Sequence, residues 1–278
     1  MKIRKCKDII IYRIVPMLVF MLFICFPFYW TLVTSLKPEG NIIKRPIQYL
    51  PNPVTLDNYI TAWKDVGFSN YFFNSLLVSL VACIMTVFSA LLVGYALSRF
   101  KFRGKQPFML ILLCTQFIPS AMLIIPLFIT FSKLHLINSY WSLILSYTTF
   151  QIPFSSIMMK GFVEKIPYNL EEAAYVDGCS RMKALIKVVL PVLLPGVVAC
   201  ASFAFISCWN EFLFALMFIN NTKKFTIPIG LSFMQGQFDI NYGALAAGSM
   251  IALAPAILMF IYVQKYLVGG LTAGAVKG

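Results

Sequence analysis

The sequence predicts an all-α integral membrane protein of six transmembrane helices. Three observations point there: 12% of the 278 residues are charged, 60% are hydrophobic, and six long stretches contain no Asp, Glu, Lys or Arg. Soluble globular chains carry roughly 25% charged residues, so this one lacks the charge to coat a water-facing surface. The composition also excludes disordered, collagen-like, coiled-coil and disulfide-stapled chains. The apolar residues run continuously and do not alternate, which argues against a lipid-facing β-barrel.

A helix crosses roughly 30 Å of hydrocarbon with about 20 apolar residues. The uncharged stretches are residues 14–36, 72–97, 106–132, 134–159, 188–210 and 240–264, each 23 to 27 residues long, and each is read as one span. The first follows basic residues but is too long for a signal-peptide core and has no small-x-small cleavage site, so it is read as retained. Orientation follows from the Lys/Arg asymmetry of the loops. With both termini cytoplasmic, 16 of the 23 basic residues lie inside, among them Arg99, Lys101, Arg103 and Lys105, then Lys160, Lys165, Arg181, Lys183 and Lys187. The net charge of +13 is thus a topology signal and an attraction to anionic headgroups; nucleic-acid binding is not needed to explain it. The seven cysteines fall in spans or on the inner side, with no CxxC or Cys/His spacing, so no metal site is expected.

Two extramembrane segments are long. The outer loop, residues 37–71, holds four prolines and then Leu56-Asp57-Asn58-Tyr59-Ile60-Thr61-Ala62-Trp63, a short amphipathic helix. It is either a solvated connector with an aromatic anchor or a dock for an external protein. The inner loop, residues 160–187, reads Asn169-Leu170-Glu171-Glu172-Ala173-Ala174-Tyr175-Val176-Asp177-Gly178. Asn169 suits an N-cap with Glu172 at N3, both carboxylates favour the positive helix end, and Gly178 suits the C′ stop. Ser180 then caps the helix entering the fifth span. The short helix, about 13 Å long, presents Leu170, Ala173, Ala174 and Val176 beside an acidic edge. Acidic residues suit poorly a helix lying on a negative leaflet; docking into a protein groove fits better.

At these residues a resemblance appears. Glu172-Ala173-Ala174, three residues, Gly178, nine residues, Val188, one residue, Leu190-Pro191 resembles the EAA loop of binding-protein-dependent ABC importer permeases, with Val188 where Ile is usual. Trp209-Asn210-Glu211-Phe212, Leu56-Asp57-Asn58-Tyr59 and the terminal Gly270-Leu271-Thr272-Ala273-Gly274-Ala275-Val276-Lys277-Gly278 look like carbohydrate importers, the last like the second permease subunit of maltose-type systems. The resemblance implies a type I ABC importer permease fold in the bacterial cell membrane. It implies as partners a homologous permease subunit, two copies of a cytosolic ATPase, and an extracellular or periplasmic sugar-binding receptor. By the same resemblance Glu171, Glu172, Ala173, Ala174, Gly178, Leu190 and Pro191 couple to the ATPase. Leu271, Thr272, Ala273 and Gly274, in a cytoplasmic tail of residues 265–278, reach between the ATPases.

No GxxxxGK[ST] phosphate loop occurs in the chain, so ATP with its magnesium is expected on partner subunits and no cofactor on this one. An enzyme is not expected, because one histidine and one embedded acid make too poor an inventory. For the pathway, Ser142, Ser146, Thr149, Pro153 and Ser156 form one polar helical face, which either lines a solute route or bonds across helices. Glu211 is the only carboxylate inside an apolar run, and with Asn210 it is a candidate gate or pathway residue. Ser75, Ser79, Ala82, Thr86 and Ser89, and the pairs Gly243/Ala247 and Ala244/Gly248, are read as packing stripes. No Lys or Arg falls inside a span, which favours a neutral polar solute such as a sugar. A polyol or glycerol phosphodiester importer is the alternative, ahead of a stand-alone carrier or channel.

Overall fold

The computed structural model describes residues 13–236 and 240–275, the last eleven by backbone alone. Among the described residues all regular structure is helical. Two compact units emerge, residues 1–69 with 230–254 and residues 70–229 with 255–278.

The first unit contains α1 (Val15–Ser35) and a short helix α2 (Asp57–Ile60), which continues as a π turn through Thr61–Asp65. Nearly every apolar side chain of α1 is exposed, as expected of a helix whose solvent is lipid. α2 is fastened to the end of α1. Asn58 Nδ2 donates to the carbonyls of Ser35 at 2.9 Å and Lys37 at 2.6 Å, while the Tyr59 hydroxyl meets Ser35 Oγ at 2.8 Å. Those carbonyls close a helix C-terminus and have no partner inside the helix.

The second unit is built on α3 (Phe68–Arg99), α4 (Lys105–Thr115), α5 (Ile124–Lys133), α6 (Tyr140–Glu164), α7 (Asn169–Val176), α8 (Arg181–Trp209) and α9 (Leu213–Phe218). Helix α6 is its hub, touching α4, α8 and α9. Gly94 lets α3 approach α6 closely, since a Cβ there would stand 2.8 Å from Lys160 N and Met159 Cβ. One core cluster joins Val78 and Ala82 of α3 to Leu143, Ile144 and Tyr147 of α6 and to Phe214 and Phe218 of α9. A second joins Ala90 and Tyr95 to Met159 and Val163 and to Leu185, Val189 and Leu193 of α8. The last described helices are α10 (Ile227–Phe233) and α11 (Tyr242–Ala275), whose residues are divided between the two units.

Four of the expected spans are helices long and apolar enough to cross a bilayer: α1, α3, α8, and α11 as far as Gln264. The third, expected over 106–132, is instead the pair α4 and α5, bent by 91° at a break. Pro119 sits in that break, lacks an N–H and pushes Ile118 out of helical geometry. The fourth, expected from 134, begins at Tyr140, because His135 and Asn138 take positive φ and Ser139 caps the helix by accepting from Trp141 N. Its 25 residues reach about 37 Å, long enough to span, but its Ser, Thr and Gln residues make it more polar than the other four. The fifth starts seven residues earlier than expected, at Arg181. The helical backbone of α11 continues through residues 265–275, where a separate tail was expected; no proline stops it, and each glycine costs only about 1 kcal/mol.

The expected packing stripes are buried except at Ser89, which is half-buried. Ser75, Ser79, Ala82 and Thr86 are at most 2% exposed, and Ala244 and Ala247 pack with Ala62. Gly243 faces Asn58, whose Oδ1 would lie 2.3 Å from an added Cβ. Glu39 accepts from the backbone N–H groups of Tyr242 at 2.9 Å and Gly243 at 2.7 Å, a carboxylate at the positive start of α11.

Candidate functional site

The loop over residues 160–187 folds as a short helix between two strong stops, with one correction. The cap position of α7 is Tyr168, without a side-chain bond, and Asn169 is the first helical residue. Glu171 and Glu172 both occupy the first turn, as the dipole prefers. Gly178 ends the helix at φ +80°. Cys179 N donates to Ala174 O at 2.9 Å and Gly178 N to Tyr175 O at 3.0 Å, the paired bonds of a Schellman stop. Ser180 caps the following helix as expected, accepting from Lys183 N.

The two glutamates then part company. Glu171 is fully buried. Its Oε1 accepts from Arg99 Nε at 2.5 Å and its Oε2 from the Tyr95 hydroxyl at 2.6 Å, with the Tyr175 hydroxyl at 3.4 Å. Arg99 also donates to Ile166 O at 2.9 Å. Glu171 is therefore a bolt between α7 and the end of α3, and is not on the presented face. That face holds Leu170, Glu172, Ala173 and Val176, the last 88% exposed, while Ala174 turns inward at 6%. Leu190 and Pro191 do not belong to it. They lie in the stem of α8, just after its π turn Leu185–Val189, where the proline occupies the first positions of the resumed α segment. Leu271, Thr272, Ala273 and Gly274 have helical backbone, but their side chains lie outside the described residues.

A second region is a cavity of about 190 Å³ in the second unit, lined by Ser120, Tyr147, Gln151, Ser207 and Glu211, with Phe150 and Phe214 among its apolar walls. Of the expected pathway residues it takes only Glu211. That carboxylate also holds the start of α9, with Phe214 N donating to Oε1 at 2.8 Å and Ala215 N to Oε2 at 3.2 Å. Asn210 is exposed and donates from Nδ2 to Ile206 O at 3.0 Å, closing the end of α8. Ser142 and Ser146 are buried, and their hydroxyls bond back to their own helix, to Ser139 O and Ser142 O, each at 2.7 Å. Thr149 is exposed and does the same to Leu145 O at 2.8 Å. These hydroxyls thus neither bond across helices nor line the cavity. In their place stand Gln151, which donates to Ser207 Oγ, and Tyr147. The available signal was spacing: Tyr147 and Gln151 are four apart, one turn of α6, and Ser207 and Glu211 have the same spacing across the end of α8.

Relatives place this architecture. The chain is 37% identical to the sulfoquinovosyl glycerol transport system permease protein SmoH of Agrobacterium fabrum, over 91% of this chain and 89% of that one. It is 34% identical to the trehalose/maltose transport system permease protein MalG of Thermococcus litoralis, over 94% of each. Its fold matches a chain of a bacterial ABC transporter involved in import of the acidic polysaccharide alginate, at TM-score 0.82 and 21% identity, covering 92% of this chain and 95% of that one. The profile of the binding-protein-dependent transport system inner membrane component family matches residues 87–271, a stretch that contains the Schellman-stopped helix, the Glu171 bolt and the cavity. The chain is a multi-pass membrane permease of that family.

Proposed function

We propose that the chain is one of two permease subunits of an ATP-driven sugar importer and docks α7 into a cytosolic ATPase. The observation that carries this reading is the division of labour within α7. Glu171 is locked to α3, while Leu170, Ala173 and Val176 stay exposed beside Glu172, an apolar patch with an acidic edge on a rigidly held lever. Such a patch fits a groove on another protein. ATP binding to the partner would favour one tilt of the docked helix and so one facing of the permease pair; hydrolysis would reverse that bias. Both termini lie in the cytoplasm, a receptor outside delivers solute, and the homologous permease supplies the other half of the pathway.

A saccharide cargo is supported by the relatives named for glycosyl compounds and by a cavity whose polar groups are hydroxyls, an amide and one carboxylate, with aromatic walls. No lysine or arginine lines it. Glu172→Lys is expected to leave the protein in the membrane while co-purification with the ATPase and receptor-dependent sugar uptake fall at least tenfold. Wild-type uptake and wild-type ATPase retention in that variant would remove the docking assignment.

A further inference from the structure

A second cavity in the same unit, of about 200 Å³, is lined by Arg99, Lys101 and Arg181 and by Tyr95, Tyr168 and Tyr175. Its charge does not cancel. Arg99 is neutralised by Glu171, but Lys101 and Arg181 enter neither of the two ion pairs found among the described residues. The guanidinium groups are held by rings, Arg181 at 5.2 Å from the centre of Phe100 and Arg99 at 5.7 Å from that of Tyr168. Arg99 spends its donors on Glu171, Ser98 and Ile166, whereas the ring contact of Arg181 leaves its N–H donors for an anion. The adjoining strip reads Phe100-Lys101-Phe102-Arg103-Gly104-Lys105, with Phe102 46% exposed. Aromatic rings alternating with cations suit the headgroup layer, where rings sit among the upper acyl chains and cations meet phosphates.

We propose that this cavity binds a phosphate-bearing anion, the headgroup of an anionic phospholipid such as phosphatidylglycerol, between Lys101 and Arg181. Lys101 follows the end of α3, to which Glu171 fastens α7, and Arg181 begins α8, which follows α7, so one bound phosphate bridges the two segments that hold the lever. Occupancy therefore stiffens the seat of the lever, and lipid composition tunes its coupling. Only the assignment to the cytoplasmic leaflet rests on the proposed orientation. That orientation is checked separately by labelling Cys179, in a variant keeping no other cysteine, with a membrane-impermeant thiol reagent. Labelling from outside intact cells would reverse the topology without touching the anion site.

The site itself is tested on the full-length chain by native mass spectrometry with short-chain phosphatidylglycerol, short-chain phosphatidylcholine and inorganic phosphate. Phosphatidylglycerol adducts should exceed phosphatidylcholine adducts at least tenfold. They should fall at least tenfold in Lys101→Ala/Arg181→Ala and persist in Lys101→Arg/Arg181→Lys and in Lys64→Ala, a lysine that does not line the cavity. Displacement of the lipid by millimolar inorganic phosphate would make a free anion the occupant; resistance to it would make the lipid the occupant, and both outcomes keep the site. Equal binding of the two lipids, retention by the double alanine variant, loss in the charge-conserving variant, or expulsion of the lipid when the ATPase subunit is added would each overturn the proposal.

Discussion

The two long loops solve the same mechanical problem with different chemistry. Each carries a short helix that must be held at a set angle, and each does so by burying one side chain. In the 37–71 loop the buried group is neutral: the Asn58 amide donates to two carbonyls that end α1. In the 160–187 loop it is charged: Glu171 meets Arg99 and two tyrosine hydroxyls. An amide on a helix end makes good an existing deficit and contributes the ordinary net value of a hydrogen bond, about 1 kcal/mol each. A buried ion pair costs several kcal/mol per ion in desolvation and gives little net stability, but breaking it by removing one partner is severe. The charged fastening is thus the all-or-none one, and it sits under the helix proposed to carry force.

That contrast can be broken at several points. The largest effect is expected from Glu171→Ala, which strands Arg99 and should lower stability by about 3–5 kcal/mol, read as a drop in melting temperature of the detergent-solubilised protein and as new proteolysis within 160–187. Asn58→Ala should cost about 1–3 kcal/mol by leaving the carbonyls of Ser35 and Lys37 unpaired, with cleavage appearing in 37–71 and not in 160–187. If it proves as damaging as Glu171→Ala, the distinction between charged and neutral fastening fails. Smallest is Gly178→Val, about 1–2 kcal/mol from forcing a branched residue to φ +80°. It should fray the end of α7 and lower ATPase retention while the Glu171–Arg99 pair stays closed.

What could be read from the sequence divides along physical lines. Helix stops are local, so Gly178 and Ser180 were legible from residue type and spacing alone. Four of the six expected spans were legible because hydrocarbon thickness sets a length, but the bend at Pro119, which breaks the third, and the late start of α6 depend on a few backbone angles that composition does not register. The inward turn of Glu171 was not legible, because its partners Tyr95 and Arg99 lie more than 70 residues away and two adjacent glutamates look alike in sequence. The same holds for Asn58. In Leu56-Asp57-Asn58-Tyr59 it looked like part of a sugar-importer signature, and the structure makes it the fastener of α2. The polar stripe of α6 was seen, but not that Ser142, Ser146 and Thr149 turn their hydroxyls to their own helix, as a serine or threonine can do on its preceding turn.

That last habit has a consequence for movement. On α6 the donors of Ser142, Ser146 and Thr149 are spent on carbonyls one turn back, and Ser202 on α8 does likewise with Val198 O. A displacement of α6 along α8 therefore leaves these bonds untouched; what it has to trade are the bonds that cross between the two helices, Gln151 to Ser207 Oγ and the Cys200 thiol to Ser155 O, and the neighbours of the packed side chains. Helices that keep most hydroxyls to themselves have few polar bonds to break on shearing, as the proposed alternation between two facings would require.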